Sequence, residues 1–126
     1  MKEIRTEAAP QPVGPYSQAV VHGGLVYASG QVPIDPATNT VVDGEIEAQT
    51  EQVLANLGAV LNAAGSSLDR VIRATVYLTD LASFPRVNAV YSRYMKGDPK
   101  PARATVQVAA LPLGVQIEID AIAAVD

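Results

Sequence analysis

Pro101-Ala102-Arg103-Ala104-Thr105-Val106-Gln107-Val108, followed after a short break by Val115-Gln116-Ile117-Glu118-Ile119, decides the fold. Both runs alternate polar and apolar side chains, the pattern of two half-buried strands. In the first, Arg103, Thr105 and Gln107 share a face and Ala104, Val106 and Val108 take the other. In the second, Gln116, Glu118 and Asp120 oppose Ile117, Ile119 and Ala121, because successive side chains in a strand point to opposite faces. An ordinary sheet would leave such polar rows to water or to a partner. A fixed cation and a fixed carboxylate on them can face one pocket, so chemistry is expected there.

Working outward, residues 71–78 are β-branched and apolar with Arg73, Thr75 and Tyr77 alternating, a third strand of this kind. Between it and the closing pair, a helix is expected from Ser83, an N-cap residue with Pro85 in the first turn, to about Met95, with Phe84, Val87, Tyr91 and Tyr94 as its apolar stripe. Gly97-Asp98-Pro99-Lys100-Pro101 stops that helix, and Leu111-Pro112-Leu113-Gly114 joins the last two strands. Upstream, Ile46, Val53, Leu57, Val60, Leu61 and Ala64 recur at helical spacing, and Gly65 stands where a left-handed cap belongs. Residues 33–40 are polar and rich in turn formers, a surface loop. Two short β-rich runs, residues 17–21 and 25–29, flank the hairpin chemistry of His22-Gly23-Gly24.

The resulting order, β-β-α-β-α-β-β, fits an α+β fold: one mixed sheet with both helices packed on one face, since each helix must bury its stripe. The opposite face then needs a cover, and other copies of the chain in a closed ring are the expected one. Residues 1–126 form a single domain, with no internal repeat or linker.

Composition narrows the function classes. Hydrophobic residues make up 48% and aromatic ones 5%, so Val, Ala, Leu and Ile build the core. Nine Lys and Arg against thirteen Asp and Glu give a net charge of −4 with the basic residues scattered, which argues against nucleic acid as a partner. The chain has no cysteine, so disulfides, thiolate nucleophiles and cysteine metal sites are excluded. The charged start, Met1-Lys2-Glu3-Ile4-Arg5-Thr6-Glu7, has no apolar signal core and no later run approaches a membrane span, so a soluble cytoplasmic protein is expected. The lone histidine, His22, falls in the hairpin turn, which leaves a Ser-His-Asp triad without support.

Five segments, taken in order, resemble the RidA family, also called the YjgF/YER057c/UK114 family. They are Gly14-Pro15-Tyr16-Ser17-Gln18, Ala28-Ser29-Gly30-Gln31-Val32-Pro33, Val87-Asn88-Ala89-Val90-Tyr91, Pro101-Ala102-Arg103-Ala104-Thr105-Val106 and Ile117-Glu118-Ile119. The resemblance implies a chorismate-mutase-like fold, a homotrimer, and clefts between subunits that take small 2-keto or 2-imino acids. It implies hydrolysis of imines and enamines such as 2-iminopropanoate and 2-iminobutanoate to the 2-keto acid and ammonia, with no cofactor and no metal. By position, Arg103 matches the arginine that binds the substrate carboxylate and Glu118 the carboxylate that directs water. Tyr16 matches the aromatic residue that closes the cleft, and Ser29, followed by Gly30, matches a serine beside the ligand. Thr105 stands where family members often carry cysteine, so only a backbone contact there is retained.

The chemistry suits these residue types. Guanidinium meets a carboxylate with two parallel donors, and one carboxylate can accept a proton from attacking water and return it to the departing nitrogen. Each residue also has a plainer structural reading. Arg103 and Glu118 can pair with each other or lie solvated on a strand, Tyr16 can cover an edge of the core, and Asn88 can hold the second helix. Two other functions stay open beside deamination: a non-catalytic module that binds 2-keto acids or protects client proteins, and an endoribonuclease, which the acidic balance disfavours.

Overall fold

Ile117, Ile119, Ala121 and Ala123 are all buried, and the residues between them are half-exposed. That alternation along one strand sets the layering of the whole chain. The computed structural model describes residues 1–125. Its elements are β1 (Lys2–Ile4), β2 (Ala19–His22), β3 (Leu25–Gln31), β4 (Ile34–Asp35), β5 (Thr40–Val41), α1 (Ile46–Ala63), β6 (Val71–Leu78), α2 (Phe84–Tyr94), β7 (Ala102–Gln107) and β8 (Ile117–Ala124). Six strands form one sheet in the order β1-β2-β3-β8-β6-β7, and β4 and β5 make a separate small hairpin. All pairs in the large sheet are antiparallel except β6 with β7, so the sheet is mixed and β7 is a parallel edge strand.

The buried rows of β3, β6 and β8 meet Val53, Leu54, Leu57, Val60 and Leu61 of α1 and Val87, Val90 and Tyr91 of α2 in one continuous core. Each fully buried leucine there contributes roughly 1.5–3 kcal/mol relative to leaving it exposed. The α+β architecture with both helices on one face is therefore as expected. The opposite face of the sheet carries no helix among the described residues, and Tyr27 and Val106 on it are 41% and 40% exposed.

Helix α1 ends as its sequence predicts. Gly65 adopts φ 82°, and the N–H groups of Gly65 and Ser66 donate to the carbonyls of Asn62 and Leu61 at 3.0 and 2.9 Å, a Schellman closure. The Gly23-Gly24 turn likewise has positive φ at both residues, joining His22 to its cross-strand partner Leu25. Three expectations change. The charged N-terminus contributes β1, paired to β2, and the polar loop at 33–40 contains the β4–β5 hairpin, both too short for a periodicity to register. Ser83 does not cap α2 with its side chain; a 3-10 turn over Leu81–Ser83 runs straight into the helix, and Asp80 caps that turn by accepting from the Ala82 N–H at 2.9 Å.

Candidate active site

The β8 carboxylate and the β7 guanidinium lie on opposite faces of the sheet. Strand β6 lies between them, and its register fixes the parity: Ala74 pairs with both Arg103 and Ala121, whereas Tyr77 pairs with Glu118. Cross-strand partners share a face, so Arg103 and Thr105 point to the helix side with the buried Ala74 and Val76, and Glu118 points to the uncovered side. The alternation within each strand is as read from the sequence. Within one chain the expectation that both polar rows face one pocket is corrected, because register between strands is not encoded in either strand's own period.

On the helix side, Arg103 is held at the sheet edge. Its Nη1 donates to Asn88 Oδ1 at 2.7 Å, and its guanidinium lies 4.8 Å from the Tyr91 ring centre and 5.1 Å from that of Phe84. Two aromatic faces and one amide thus fix a cation that remains half-exposed. A cavity of about 400 Å³ opens here, lined by Asn88, Tyr91, Ser92, Lys100 and Arg103 among others. Arg103 makes no ion pair with Glu118, which removes the structural pairing the sequence left open. The hydroxyls of Tyr91 and Thr105 are buried without a hydrogen-bond partner. Burial pushes the Tyr91 hydroxyl above its ordinary pKa, and the Arg103 charge opposes that shift. The Val108 N–H donates to Leu78 O at 2.8 Å. By alternation along β7, the Thr105 N–H faces the free edge of the sheet, open to a ligand or a partner strand.

On the other side, a larger cavity of about 580 Å³ brings together Tyr16, Ser29, Gly30 and Glu118 with Val13, Ile34 and Leu113. The Glu118 carboxylate accepts no hydrogen bond from any described residue, and burial, with a further contribution from the Asp120 charge, raises its carboxyl above the usual range. Gly30 sits where β3 breaks register with β8, between Ala28 and Gln31. A Cβ at that position would overlap Glu118 Oε2 and lie 2.8 Å from its Cδ. The missing side chain leaves that space to the carboxylate. Ser29 donates its hydroxyl to Ser17 O at 2.6 Å and its N–H to Gln18 O at 2.9 Å, so only its lone pairs are left to meet a ligand. Tyr16 is 53% exposed at the rim.

Three positioning residues escaped the sequence reading. Gln18, 2% exposed, accepts from the Thr6 N–H and donates to the Thr6 and Pro10 carbonyls, tying down the segment that carries Val13 and Tyr16. Asn56, on the buried face of α1, donates to the Val32 and Ile34 carbonyls at 3.0 and 2.8 Å and fixes the far wall. Gln49 accepts from the Gln116 N–H at 2.9 Å just ahead of β8. A buried amide inside an otherwise apolar helix stripe is the signal that could have found the last two. Among the described residues, no cluster of His, Cys, Asp or Glu could hold a metal and no helix is long and apolar enough to cross a membrane.

Comparison with known proteins places this geometry. A family model described as Endoribonuclease L-PSP matches residues 6–125. The chain is 54% identical to the RutC family protein PH0854 of Pyrococcus horikoshii over 124 residues, covering 98% of each. It is 48% identical over 120 residues to the chloroplastic Reactive Intermediate Deaminase A of Arabidopsis thaliana, covering 95% of this chain and 64% of that protein. The crystal structure of RidA from the Antarctic bacterium Psychrobacter sp. PAMC 21119 superposes with a TM-score of 0.94 at 46% identity, covering 99% of this chain and 100% of that one. With agreement over nearly the whole length in both sequence and fold, the chain belongs to the RidA family, the family of the Endoribonuclease L-PSP model.

Proposed function

We propose that this protein hydrolyses 2-imino acids and their enamine tautomers, such as 2-iminopropanoate and 2-iminobutanoate, to 2-keto acids and ammonia. The site lies at a junction where the Arg103 edge of one copy meets the Glu118 cavity of the next. The observation that carries this reading is the separation of two preformed halves. One is an aromatic-clamped arginine beside a free strand edge; the other is an unpartnered, half-buried carboxylate in a cavity. Neither half suffices alone. A closed ring of copies, with three as the family implies, brings them together and covers the open sheet face.

In such a junction Arg103 grips the substrate carboxylate and the outward Thr105 N–H adds a donor. Glu118 takes a proton from water as its oxygen bonds to the carbon of the protonated imine, giving a carbinolamine. That proton passes to the carbinolamine nitrogen, the C–N bond breaks with ammonia leaving, and Glu118 takes the hydroxyl proton as the C=O forms. A carboxyl raised above its usual range is better matched to this two-way transfer near neutrality. Tyr16 covers the ligand, and Ser29 and Gly30 form its floor. The relative named Reactive Intermediate Deaminase A supports this reading, and a cytoplasmic location suits it. The endoribonuclease in the family model's description finds no support in the charge: Arg86 and Arg93 are already paired with Glu47 and Glu51.

The test generates 2-iminopropanoate from serine with a dehydratase and follows release of pyruvate. Charge-assisted hydrogen bonds contribute roughly 1.5–3 kcal/mol, so Arg103→Ala should lower kcat/KM tenfold or more. Equal rates for the two proteins would reject the role of Arg103, and keto-acid binding without acceleration in wild type would select a binding module instead.

A further inference from the structure

The Glu118 carboxylate accepts no hydrogen bond from the described residues, yet its direction is constrained from two sides. On one, the gap at Gly30 is the space its carboxylate occupies. On the other stands Tyr77, its directly opposed partner on β6. Opposed residues in an antiparallel pair have Cβ atoms about 4.5–5.5 Å apart, so the tyrosine ring flanks the glutamate stem. The ring is itself tethered: the Tyr77 hydroxyl donates to Asp120 Oδ2 at 2.9 Å, a diagonal reach to the next same-face residue of β8. We propose that Tyr77 and Asp120 form a positioning pair for Glu118, with Tyr77, anchored by Asp120, holding the glutamate against the Gly30 gap and toward the cavity. This rests on the reading that Glu118 manages water.

The groups facing Glu118 from each packed element are few. Strand β3 offers Tyr27 and Ser29, β6 offers Arg73, Tyr77 and, opposite Asp120 and beside the Tyr77 hydroxyl, Thr75, β8 offers Asp120, the rim offers Tyr16, and β7 presents only Ala102, Ala104 and Val106. Arg73 lies beyond Asp120, opposite Ile122. Asp120, two residues along the same strand and so about 7 Å away, is the nearest charge on that face. Its charge is the second cause, after burial, of the raised Glu118 carboxyl. Its hydrogen bond and charge, after burial, also raise the Tyr77 hydroxyl.

Two substitutions separate the tether from the charge. Asp120→Asn keeps an acceptor for Tyr77 and removes the charge; Tyr77→Phe keeps the ring and the charge and removes the tether. The primary readout is the carbon-13 titration of the Glu118 carboxyl, which needs no turnover. Asp120→Asn should move its midpoint to lower pH, because the neighbouring charge that raises it is gone, and the acid limb of the kcat profile should move with it. Tyr77→Phe should lower kcat about fivefold with KM unmoved, because Arg103 still binds the carboxylate. An unchanged kcat in Tyr77→Phe overturns the proposal, and so does a loss of kcat in Asp120→Asn as large as that in Tyr77→Phe without any movement of the Glu118 midpoint, since the tether is kept there. Solution mass and thermal melts check that each variant is intact, and Asp120→Ser replaces Asp120→Asn if that variant does not fold. Glu118→Gln tells the two failures apart: full turnover in that variant defeats the role of Glu118 in water attack, whatever the titration of the Asp120 variants gives.

Discussion

Replacing Gly30 with alanine separates folding from catalysis at one atom. The Gly30 backbone is not among the positive-φ glycines, so alanine adopts it without conformational penalty. The obstacle is a single neighbour. The added Cβ would overlap Glu118 Oε2 and sit 2.8 Å from Cδ and 3.0 Å from Cγ, all on one flexible side chain whose far end opens into a cavity. To restore ordinary contact, the carboxylate must retreat by more than an ångström, through a rotamer change costing about 0.5–1.5 kcal/mol. Stability should therefore fall by no more than about 1.5 kcal/mol. A misplacement of about 1 Å in a reacting group costs on the order of 10²-fold in rate. Pyruvate release from dehydratase-generated 2-iminopropanoate should drop by about that factor in Gly30→Ala, with the urea midpoint nearly kept. Wild-type turnover in a folded Gly30→Ala protein would show that the position of the Glu118 carboxylate does not matter to the reaction, and the proposed mechanism would fall with it.

Other perturbations have signs fixed by the same geometry. Asn88→Ala removes the 2.7 Å bond to Arg103 and leaves the stacking on Phe84 and Tyr91, so KM for the imino acid should rise about tenfold with kcat little changed; an unchanged KM would mean that the rings alone hold the guanidinium. Tyr91→Phe deletes a buried hydroxyl with no partner and keeps the ring beneath Arg103, so it should stabilise the fold by about 1 kcal/mol, read as a melting temperature a few degrees higher. A lower melting temperature would contradict the unsatisfied hydroxyl. For Glu118 the folded carboxyl titrates above its ordinary 4.5, so the folded state holds the proton more tightly than the unfolded one. The resulting penalty is full above the raised folded value and vanishes as pH falls below 4.5. Glu118→Gln should be more stable than wild type in urea at pH 7, with the advantage closing on acidification; a variant less stable at pH 7 would reverse the sign.

Much of the fold was legible because the strong elements announce themselves locally. The 3.6-residue stripe from Ile46 and the Gly65 cap define α1, and the period-2 runs define β6, β7 and β8. The two- and three-residue strands were not, since two residues carry no period. At the site, Arg103 and Glu118 were visible as polar residues out of keeping with ordinary strands, and Tyr16, Ser29, Gly30 and Glu118 do line one cavity. Their relation to Arg103 was not visible, because it depends on the registers of β6 with both neighbours, a property of three strands together. Nor was the engagement of Ser29 by the Ser17 and Gln18 carbonyls, which reduces its role to that of an acceptor.

The sheet that separates Arg103 from Glu118 has a genetic corollary. Two alleles, one lacking the arginine and one lacking the glutamate, should each be inactive under the proposed mechanism, yet they carry complementary intact halves. Mixed by co-expression, they should assemble heteromers in which about a quarter of the junctions pair a sound donor with a sound acceptor, the fraction expected for random heterologous contacts around a closed ring. Activity reborn from two inert parents would be the signature of a reaction centre that belongs to no single polypeptide.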